Sequence, residues 1–221
     1  MPRPLPSQLD EISTRTLGHY ETHAESFWEG TRNHDVTENY RALLSALPGE
    51  PPRRILDLGC GPGRDLAALR HAGETPVGLD GCVEFVAMAR AFSDCHVIEQ
   101  DFLQLELPPS SFEGVFANAS LFHVPGARLA HVLGVLFSAL VPRGVLFCSN
   151  PRAMSADAEG WNGERYGCYL TIESWSTVIA GAGFVLESQF LRPSGKSFSE
   201  QPWLAMVWRK PSRIDESRRR P

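Results

Sequence analysis

One acidic residue and three glycines occupy every second position in one short stretch of the chain: Asp57, Gly59, Gly61 and Gly63. The largely apolar run before it, residues 54–58, predicts a buried β-strand, and a helical pattern begins after it. A glycine-rich turn between a strand and a helix lets a ligand approach backbone amides closely. The pattern therefore predicts a ligand-binding turn at the carboxyl end of a strand.

The residue types in this turn discriminate between two classes of ligand. A dinucleotide site has a third glycine in the spacing G-x-G-x-x-G, and Arg64 occupies that position here. A carboxylate at Asp57 would repel a pyrophosphate, whereas it suits a ligand with positive charge. An ordinary turn without a ligand is the alternative, and the residues that follow argue against it.

Three further predicted strands end in polar residues. Ligands of open α/β sheets bind outside the carboxyl ends of the strands, so these polar ends are expected to form one site. Asp80 lies about twenty residues after the glycines, where a carboxylate can accept hydrogen bonds from both hydroxyls of a ribose. The strand segments are 75–80, 97–102 and 112–118, and their polar ends are Asp80-Gly81, Asp101-Phe102 and Asn118.

The spacing D-x-G-x-G-x-G that begins at Asp57 resembles the first motif of the class I S-adenosylmethionine-dependent methyltransferases, whose cofactor carries an ammonium and a sulfonium. The resemblance implies a Rossmann-like α/β fold: a seven-stranded, mostly parallel sheet with an antiparallel last strand, helices on both faces, and N-terminal helices over the cofactor. It implies that Asp101 and Phe102 flank the adenine, that Asn118 lies beside the methyl group, and that Arg32 meets the methionine carboxylate. The cofactor would be S-adenosyl-L-methionine, leaving as S-adenosyl-L-homocysteine, bound by Tyr20, Trp28, Arg32, Asp57, Gly59, Gly61, Asp80, Gly81, Asp101, Phe102 and Asn118.

The hydrophobic pattern predicts a single domain over residues 10–210, between disordered tails at 1–9 and 211–221. Residues 10–47 are predicted to be helical, and Pro48-Gly49 ends that run. Strands and helices then alternate to about residue 149, which predicts a parallel sheet with right-handed crossovers. Residues 150–170 are expected to form a long polar and aromatic loop at the cofactor edge. A helix over 172–180 and strands near 183–191 and 202–209 complete the pattern.

Composition and charge argue against several classes of protein. The chain has 221 residues, a net charge of −5 at pH 7 and five cysteines. The odd cysteine count without a C-x-x-C pair argues against a disulfide framework or a zinc site. The negative charge argues against a nucleic-acid partner, and no apolar run reaches the roughly 20 residues of a membrane span. We therefore expect a cytoplasmic enzyme without a metal ion that acts on a small molecule.

A closer resemblance to one family runs from about residue 20 to residue 210, and its more specific stretches are residues 27–39, 118–125, 149–152, 160–167 and 201–210. They are similar to the C-terminal methyltransferase domain of the ovothiol-biosynthesis enzyme, 5-histidylcysteine sulfoxide synthase, and its stand-alone relatives. This resemblance implies methylation of the imidazole π nitrogen of 5-thiohistidine or its selenium analogue, the final step of ovothiol-type biosynthesis. The sequence lacks the iron-dependent sulfoxide-synthase portion, so a separate sulfoxide synthase would have to supply the substrate.

An amino-acid substrate brings a carboxylate and an ammonium that need partners when they leave water. Arg152 or Arg165 could bind the carboxylate through both oxygens, and Glu164 or Asp35 could meet the ammonium. In-line methyl transfer needs mainly positioning, so a base is optional. His123, Glu164 and Asp35 are the candidates, with His123 as the expected catalytic residue in a mainly positioning role. Trp161, Tyr166 or Trp203 could stack on the ring, and the expected substrate residues are Asp35, Arg152, Trp161, Asn162, Glu164, Arg165, Tyr166 and Trp203.

Two other functions stay open at this point. The protein could methylate another small metabolite at an oxygen or a carboxyl group, or it could bind S-adenosylmethionine without catalysis, as a sensor or subunit. The intact acidic positions and the many polar residues at the substrate edge argue against the non-catalytic function. Adenine methylation in nucleic acids is disfavoured because Ala119-Ser120, and no N-P-P-Y-like motif, follows Asn118.

Overall fold

The computed structural model describes residues 6–212, and over these residues the chain forms seven α-helices and nine β-strands. The helices are α1 (Pro6–Thr22), α2 (Ala24–Thr31), α3 (Thr37–Ala46), α4 (Arg64–His71), α5 (Val83–Ser93), α6 (Gly126–Ala139) and α7 (Ile172–Gly181). The strands are β1 (Arg54–Leu58), β2 (Thr75–Asp80), β3 (His96–Glu99), β4 (Phe112–Asn118), β5 (Leu140–Pro151), β6 (Ala158–Asn162), β7 (Arg165–Tyr169), β8 (Val185–Arg192) and β9 (Trp203–Arg209).

Seven of the strands form one sheet in the order β3-β2-β1-β4-β5-β9-β8. Strands β1 to β5 pair in parallel, whereas β9 runs antiparallel to β5 and β8. The predicted Rossmann-like α/β fold, with seven strands and an antiparallel last strand, is confirmed. The carboxyl ends of β1, β2 and β4 consequently meet at one edge of the sheet.

The central strands are buried on both faces, because neighbouring side chains of a strand point in opposite directions. On β1, Ile55 packs with Leu43 of α3 and Leu69 of α4, and Leu56 packs in a second cluster with Leu133 of α6. All five of these leucine and isoleucine side chains are 0–1% exposed. The helices thus cover both faces of the sheet and hold the strand ends in fixed register.

Two segments differ from the sequence-based expectation. Residues 6–9, expected to lie in a disordered tail, form the first turn of α1. Proline is tolerated at a helix start because its missing N–H would have no partner there. The rest of the two predicted tails, residues 1–5 and 213–221, lies outside the described residues. Residues 150–170 are not a simple loop, because β6 and β7 pair as an antiparallel hairpin around Gly163, where φ is +62°.

The predicted helical region 10–47 consists of three separate helices, with breaks at residue 23 and at residues 32–36. Helix α1 packs against α5 and against the hairpin strand β7. No helix in the described part of the chain combines the length and apolar character that crossing a membrane would require.

A buried ion pair ties the entry of β1 to the entry of β2. The Arg53 guanidinium contacts the Glu74 carboxylate, and the Arg53 amide donates to Glu74 Oε2 at 2.8 Å. The two side chains are 10% and 1% exposed. Replacing Glu74 by alanine leaves the buried guanidinium unpaired, so we expect the free energy of unfolding to fall by about 3–5 kcal/mol.

Urea denaturation measures this loss. The matched control is Glu29→Ala, which removes the carboxylate of an exposed pair with Arg32, where the side chains are 61% and 46% exposed. That change should cost less than about 1 kcal/mol. Equal losses in the two variants would contradict a structural role for the buried pair.

Candidate functional site

A cleft of about 780 Å³ opens at the carboxyl edge of β1, β2 and β4. Its size falls within the range of small-molecule sites. Helices α1 and α2 and the β6–β7 hairpin supply the opposite wall. The cleft brings together most of the predicted site residues: Tyr20, Trp28, Asp35, Gly59, Gly61, Asp80, Gly81, Asp101, Phe102, Asn118, His123, Asn162, Arg165 and Trp203.

The glycines of the turn after β1 serve different purposes. Gly59 has φ +73°, and a Cβ there would lie 2.5 Å from Ser120 Cβ. Gly63 has φ +95°, and its Cβ would lie 2.8 Å from Ala89 Cα on α5. A Cβ on Gly61 would lie 3.8 Å from the nearest side-chain atom. Close packing therefore requires Gly59 and Gly63, whereas Gly61 leaves room for a ligand beside the backbone.

Asp80 joins the end of β2 to this turn. Its Oδ2 accepts a hydrogen bond from the Gly61 amide at 2.9 Å, and its Oδ1 accepts one from the Cys82 amide at 2.9 Å. Burial raises the pKa of Asp80 to about 6, although the backbone amides oppose the shift. Each carboxylate oxygen keeps a second lone pair, so Asp80 can also accept hydrogen bonds from ligand hydroxyls.

Asp101 connects the third predicted strand end to helix α1. Its Oδ1 accepts a hydrogen bond from the Leu103 amide at 2.8 Å, and its Oδ2 accepts one from the Ser13 hydroxyl at 2.5 Å. Leu17, one turn further along α1, lies against Gly81. Helix α1 therefore lies across the edge of the cleft that Asp80 and Asp101 form.

Asp57 does not line the cleft. It precedes the last residue of β1, pairs in register with Gly78 and Phe116, and is 1% exposed. Its Oδ2 has no hydrogen-bond partner among the described residues. Burial raises its pKa well above the ordinary value, and the charge of Asp65 adds to the shift. The structure therefore places Asp57, for which direct contact with a ligand was expected, beneath the turn.

A polar network that the sequence did not reveal lies beside Asp57 and is centred on the buried Asp65 carboxylate. Asp65 accepts hydrogen bonds from Tyr40 Oη at 2.6 Å, Asn118 Nδ2 at 3.0 Å and Arg64 Nε at 2.6 Å. Asn39 Nδ2 donates to Asn118 Oδ1 at 3.0 Å. Both polar groups of the Asn118 side chain are thus engaged within the protein, and α3 is joined to the end of β4.

The guanidinium at this end of the cleft belongs to Arg64 and not to Arg32. The Arg32 side chain is 46% exposed, pairs with Glu29 and does not line the cleft. Arg64 lines the cleft, and its Nη1 donates to the carbonyl of Thr31 at 2.8 Å. The signal was present in the sequence, because Arg64 is the first helical residue after the glycine turn.

His123 lies in the cleft beside α1. One ring nitrogen, Nδ1, is 2.7 Å from the carbonyl oxygen of Tyr166, and the other, Nε2, is 2.9 Å from Tyr20 Oη. Burial lowers the pKa of His123 to about 4, and the nearby Arg165 charge acts in the same direction, while the bond to Tyr166 opposes it. The imidazole is therefore neutral at physiological pH.

The hairpin exposes its two faces to different surroundings. Asn162 and Arg165 are cross-strand partners and both line the cleft. Trp161 and Tyr166 are the adjacent pair and do not line it; their rings contact each other with centroids 5.5 Å apart. Alternation along each strand accounts for the difference. The structure therefore places Trp161 and Tyr166, for which stacking on a substrate was expected, on the hairpin face away from the cleft.

Glu164 is not at the cleft either. It lies in the hairpin turn with a 61% exposed side chain, and it pairs with Arg15 of α1 at 3.0 Å. The Arg15 guanidinium also lies 3.9 Å from the centroid of the Trp161 ring. These contacts join the outer side of the hairpin to α1 and place Glu164, a predicted base or ammonium partner, outside the cleft.

Arg152 has a structural role. Its Nε donates to the carbonyl of Gln201 at 2.9 Å, its Nη2 donates to the carbonyl of Phe198 at 2.5 Å, and the guanidinium lies 3.9 Å from the Phe198 ring centroid. The residue is 6% exposed and does not line the cleft. Arg152, for which contact with a substrate carboxylate was expected, instead binds the segment before β9.

Asp35 and Trp203 lie in the cleft, as predicted, with different surroundings. Asp35 Oδ1 accepts a hydrogen bond from the Thr37 amide at the start of α3 at 2.9 Å, which lowers the pKa of Asp35. The Trp203 ring contacts Phe122 edge-on, with centroids 6.4 Å apart, and Phe122 contacts Tyr169 at 6.1 Å. Phe122, Tyr169 and Trp203 form an aromatic wall near Arg165 that the sequence indicated only in part.

Comparison with known proteins relates this site to one enzyme class. Residues 55–144 match the protein family described as "Methyltransferase domain". The chain is 35% identical over 125 residues to 24-methylenesterol C-methyltransferase 2 of Oryza sativa subsp. japonica, which covers 53% of this chain and 32% of that protein. It is 36% identical over 112 residues to trans-aconitate 2-methyltransferase of Escherichia fergusonii, which covers 49% of this chain and 43% of that protein. The chain thus spans less than half the length of these curated relatives.

Solved structures share the fold at low sequence identity. The 1,6-didemethyltoxoflavin-N1-methyltransferase of Burkholderia thailandensis, solved with 1,6-didemethyltoxoflavin and S-adenosylhomocysteine, superposes with a TM-score of 0.76 at 18% identity over 96% of this chain and 93% of that one. An S-adenosylmethionine-dependent methyltransferase from Mesorhizobium loti gives a TM-score of 0.65 at 21% identity, over 77% and 97%.

Proposed function

Because residues 55–144 are a methyltransferase domain and the chain has the class I S-adenosylmethionine-dependent methyltransferase fold, we propose that this protein methylates a ring nitrogen of a small substrate that bears a carboxylate. The substrate proposed is 5-thiohistidine or its selenium analogue, methylated at the π nitrogen of the imidazole. A separate sulfoxide synthase would supply it. The main support for the proposal is Arg165. It lines the cleft beside the aromatic wall, and it forms no ion pair with a carboxylate of the described residues.

The residues of the cleft fit S-adenosylmethionine. Asp80 has free lone pairs for the ribose hydroxyls, and the backbone beside Gly61 is open to the ligand. Asp101 and Phe102 would bind the adenine, and Arg64, in place of Arg32, would bind the methionine carboxylate. When bound, the cofactor supplies an electrophilic methyl group on a sulfonium. Asp57 would contribute from beneath the turn, by supporting the end of β1, and not by contact.

The other half of the cleft fits a flat ring with a charged arm. Arg165 would bind the substrate carboxylate through two parallel hydrogen bonds, the geometry that a guanidinium favours. Phe122, Tyr169 and Trp203 would hold the ring, and Asn162, on the same hairpin face as Arg165, offers a further polar contact. Arg165 and Asn162 move together with the hairpin, so one segment would position the substrate.

The protein's part in the reaction is then positioning and the exclusion of water. Holding reacting groups in line at contact distance can contribute about 7–11 kcal/mol to lowering the barrier. Helix α1 and the hairpin cover the cleft and are joined by the Arg15–Glu164 pair and by the bond from the Tyr166 amide to Thr16 Oγ1 at 3.0 Å. His123, with its pKa of about 4, would remain neutral and act as a hydrogen-bond partner and not as a strong base.

Incubating the purified protein with S-adenosylmethionine and 5-thiohistidine, 5-selenohistidine or histidine tests the proposal. We expect a mass gain of one methyl group on the thiolated or selenated substrate and none on histidine. The Asp80→Ala variant is the control for cofactor-dependent turnover. Failure with both chalcogen-bearing substrates, in a protein that still binds S-adenosylhomocysteine, would refute the proposed substrate.

One observation favours a second candidate, methylation of a carboxyl group on a small polycarboxylate. Arg192 also lines the cleft, and the sequence relatives include trans-aconitate 2-methyltransferases. Two guanidinium groups, Arg165 and Arg192, could bind two carboxylates. Mild alkali distinguishes the products, because it removes a methyl ester and leaves an N-methyl group intact.

A further inference from the structure

We infer that Tyr20 presents a fixed hydrogen-bond acceptor to the substrate and that this acceptor selects which ring nitrogen is methylated. The inference rests on the proposed function, because it concerns the orientation of an imidazole ring in the same cleft. It assigns Tyr20, which the sequence indicated as a cofactor residue, to the substrate. It assigns to His123 the role of positioning the Tyr20 hydroxyl.

The polarity of the hydrogen bonds around His123 follows from one carbonyl group. The backbone oxygen of Tyr166 can only accept, so His123 Nδ1, at 2.7 Å, must carry the ring proton. In a neutral imidazole the other nitrogen, Nε2, then has a lone pair and no proton. The Tyr20 hydroxyl, 2.9 Å from Nε2, must therefore donate its only hydrogen to His123.

The Tyr20 hydroxyl consequently has no hydrogen left for a ligand. The Arg165 guanidinium lies 5.9 Å from the centroid of the Tyr20 ring, and a guanidinium can only donate hydrogen bonds. Toward the cleft, the Tyr20 oxygen can then act only as an acceptor. A bound group that faces it must bring a donor, since two facing acceptors without a hydrogen between them are unfavourable.

An imidazole ring satisfies this requirement in one orientation. Its neutral form has one N–H, which can donate to Tyr20 Oη, and one nitrogen with a lone pair, which alone can accept a methyl group. Turning the ring over would place the lone pair against the Tyr20 oxygen. Tyr20 would therefore fix both the tautomer and the face of the substrate, and with them the nitrogen that reacts.

The alternative is that Tyr20 has only a structural role, in which its ring packs against neighbouring aromatic side chains. Its ring lies edge-on against Phe27 at 5.5 Å and near Phe85 at 5.4 Å between centroids. Tyr20→Phe keeps this ring and removes only the hydroxyl, so it separates the two roles. His123→Leu is the second variant, because it leaves the Tyr20 hydrogen free to turn toward the cleft and donate.

The readout is the ratio of the two N-methyl isomers formed from 5-thiohistidine, measured by NMR of the product. We expect the wild-type protein to form one isomer in large excess. The ratio of this major isomer to the minor one should fall about tenfold in Tyr20→Phe and in His123→Leu. Tyr166→Phe removes a hydroxyl from a side chain that does not line the cleft and keeps the backbone carbonyl that binds His123, so it should keep the wild-type ratio. An unchanged ratio in Tyr20→Phe, with active enzyme, would overturn the inference.

A second measurement separates failure of this inference from failure of the proposed function. Nitrogen-15 NMR of histidine-labelled protein reports the tautomer of His123, assigned by its loss in His123→Leu. We expect the Nδ1-protonated neutral form between pH 6 and 8. Protonation of His123 on Nε2 would overturn the inference whatever the substrate is. If His123 has the expected tautomer but the protein is inactive on 5-thiohistidine, only the proposed substrate and the ring selection that depends on it are overturned.

Discussion

Replacing Arg165 by alanine is expected to raise the KM for the carboxylate-bearing substrate by about 10- to 100-fold, the effect of losing a hydrogen-bonded charge in a partly enclosed site. Arg165 lies on the hairpin face that lines the cleft, away from Asp80 and Asp101 in the chain and on a different element. The Kd for S-adenosylhomocysteine should therefore stay within about twofold of the wild-type value. Steady-state kinetics and calorimetry measure the two quantities separately.

Arg152→Ala is the matched control, because it removes a guanidinium from the same region of the chain. Arg152 binds backbone carbonyls of Phe198 and Gln201 outside the cleft, so its loss should lower the melting temperature more than it changes KM. Arg165→Lys keeps the charge and should recover part of the affinity. Equal rises of KM in Arg152→Ala and Arg165→Ala would exclude Arg165 as the specific carboxylate partner.

The strand ends of the site were predictable from the sequence because local rules determine them. The apolar runs of β1, β2 and β4 end at glycine or at polar residues, and parallel strands bring those ends to one edge. Asp80, Asp101 and Gly61 therefore line the cleft as expected. Asp57 was misplaced by one position: it precedes the last residue of its strand, so it lies inside the sheet and not at its rim.

The substrate half was less predictable because it depends on the pairing of β6 with β7. Glycines at 160, 163 and 167 interrupt the alternation that identifies a strand, and the segment resembled a loop. Without the pairing, Trp161 and Arg165 are equivalent candidates; with it, they occupy opposite faces. The choice between Arg32 and Arg64 likewise depends on the path of the chain after α2, although the position of Arg64 directly after the glycine turn was a local signal for it.

The Asp65 network shows why the N-terminal helices belong to the site. Tyr40 and Asn39 of α3 bind Asp65 and Asn118, and Arg64 binds the carbonyl of Thr31 at the end of α2. These bonds join α2 and α3 to the glycine turn and to the end of β4. A ligand that binds at the glycine turn would therefore also stabilise the positions of α2 and α3. No side chain of α3 needs to contact the ligand for this effect.

The affinity for the cofactor is expected to depend on pH through Asp80. Burial raises the pKa of Asp80 to about 6, so below that pH the carboxyl group carries a proton and one of its oxygens donates where ribose hydroxyls need acceptors. If only the ionised form binds, the apparent Kd for S-adenosylhomocysteine should rise about tenfold between pH 7 and pH 5. Binding thus weakens as pH falls through the pKa. Calorimetry at constant ionic strength measures the change.

Asp80→Asn should remove this pH dependence and also weaken binding at pH 7 by about a hundredfold. The amide nitrogen of asparagine cannot accept a hydrogen bond, so either Gly61 or Cys82 loses its partner, and one ribose hydroxyl loses its acceptor as well. A wild-type Kd that does not change between pH 7 and pH 5 would show that the Asp80 carboxylate does not bind the ribose. A pH dependence that persists in Asp80→Asn would assign the titration to another group, because the variant has no carboxylate at this position.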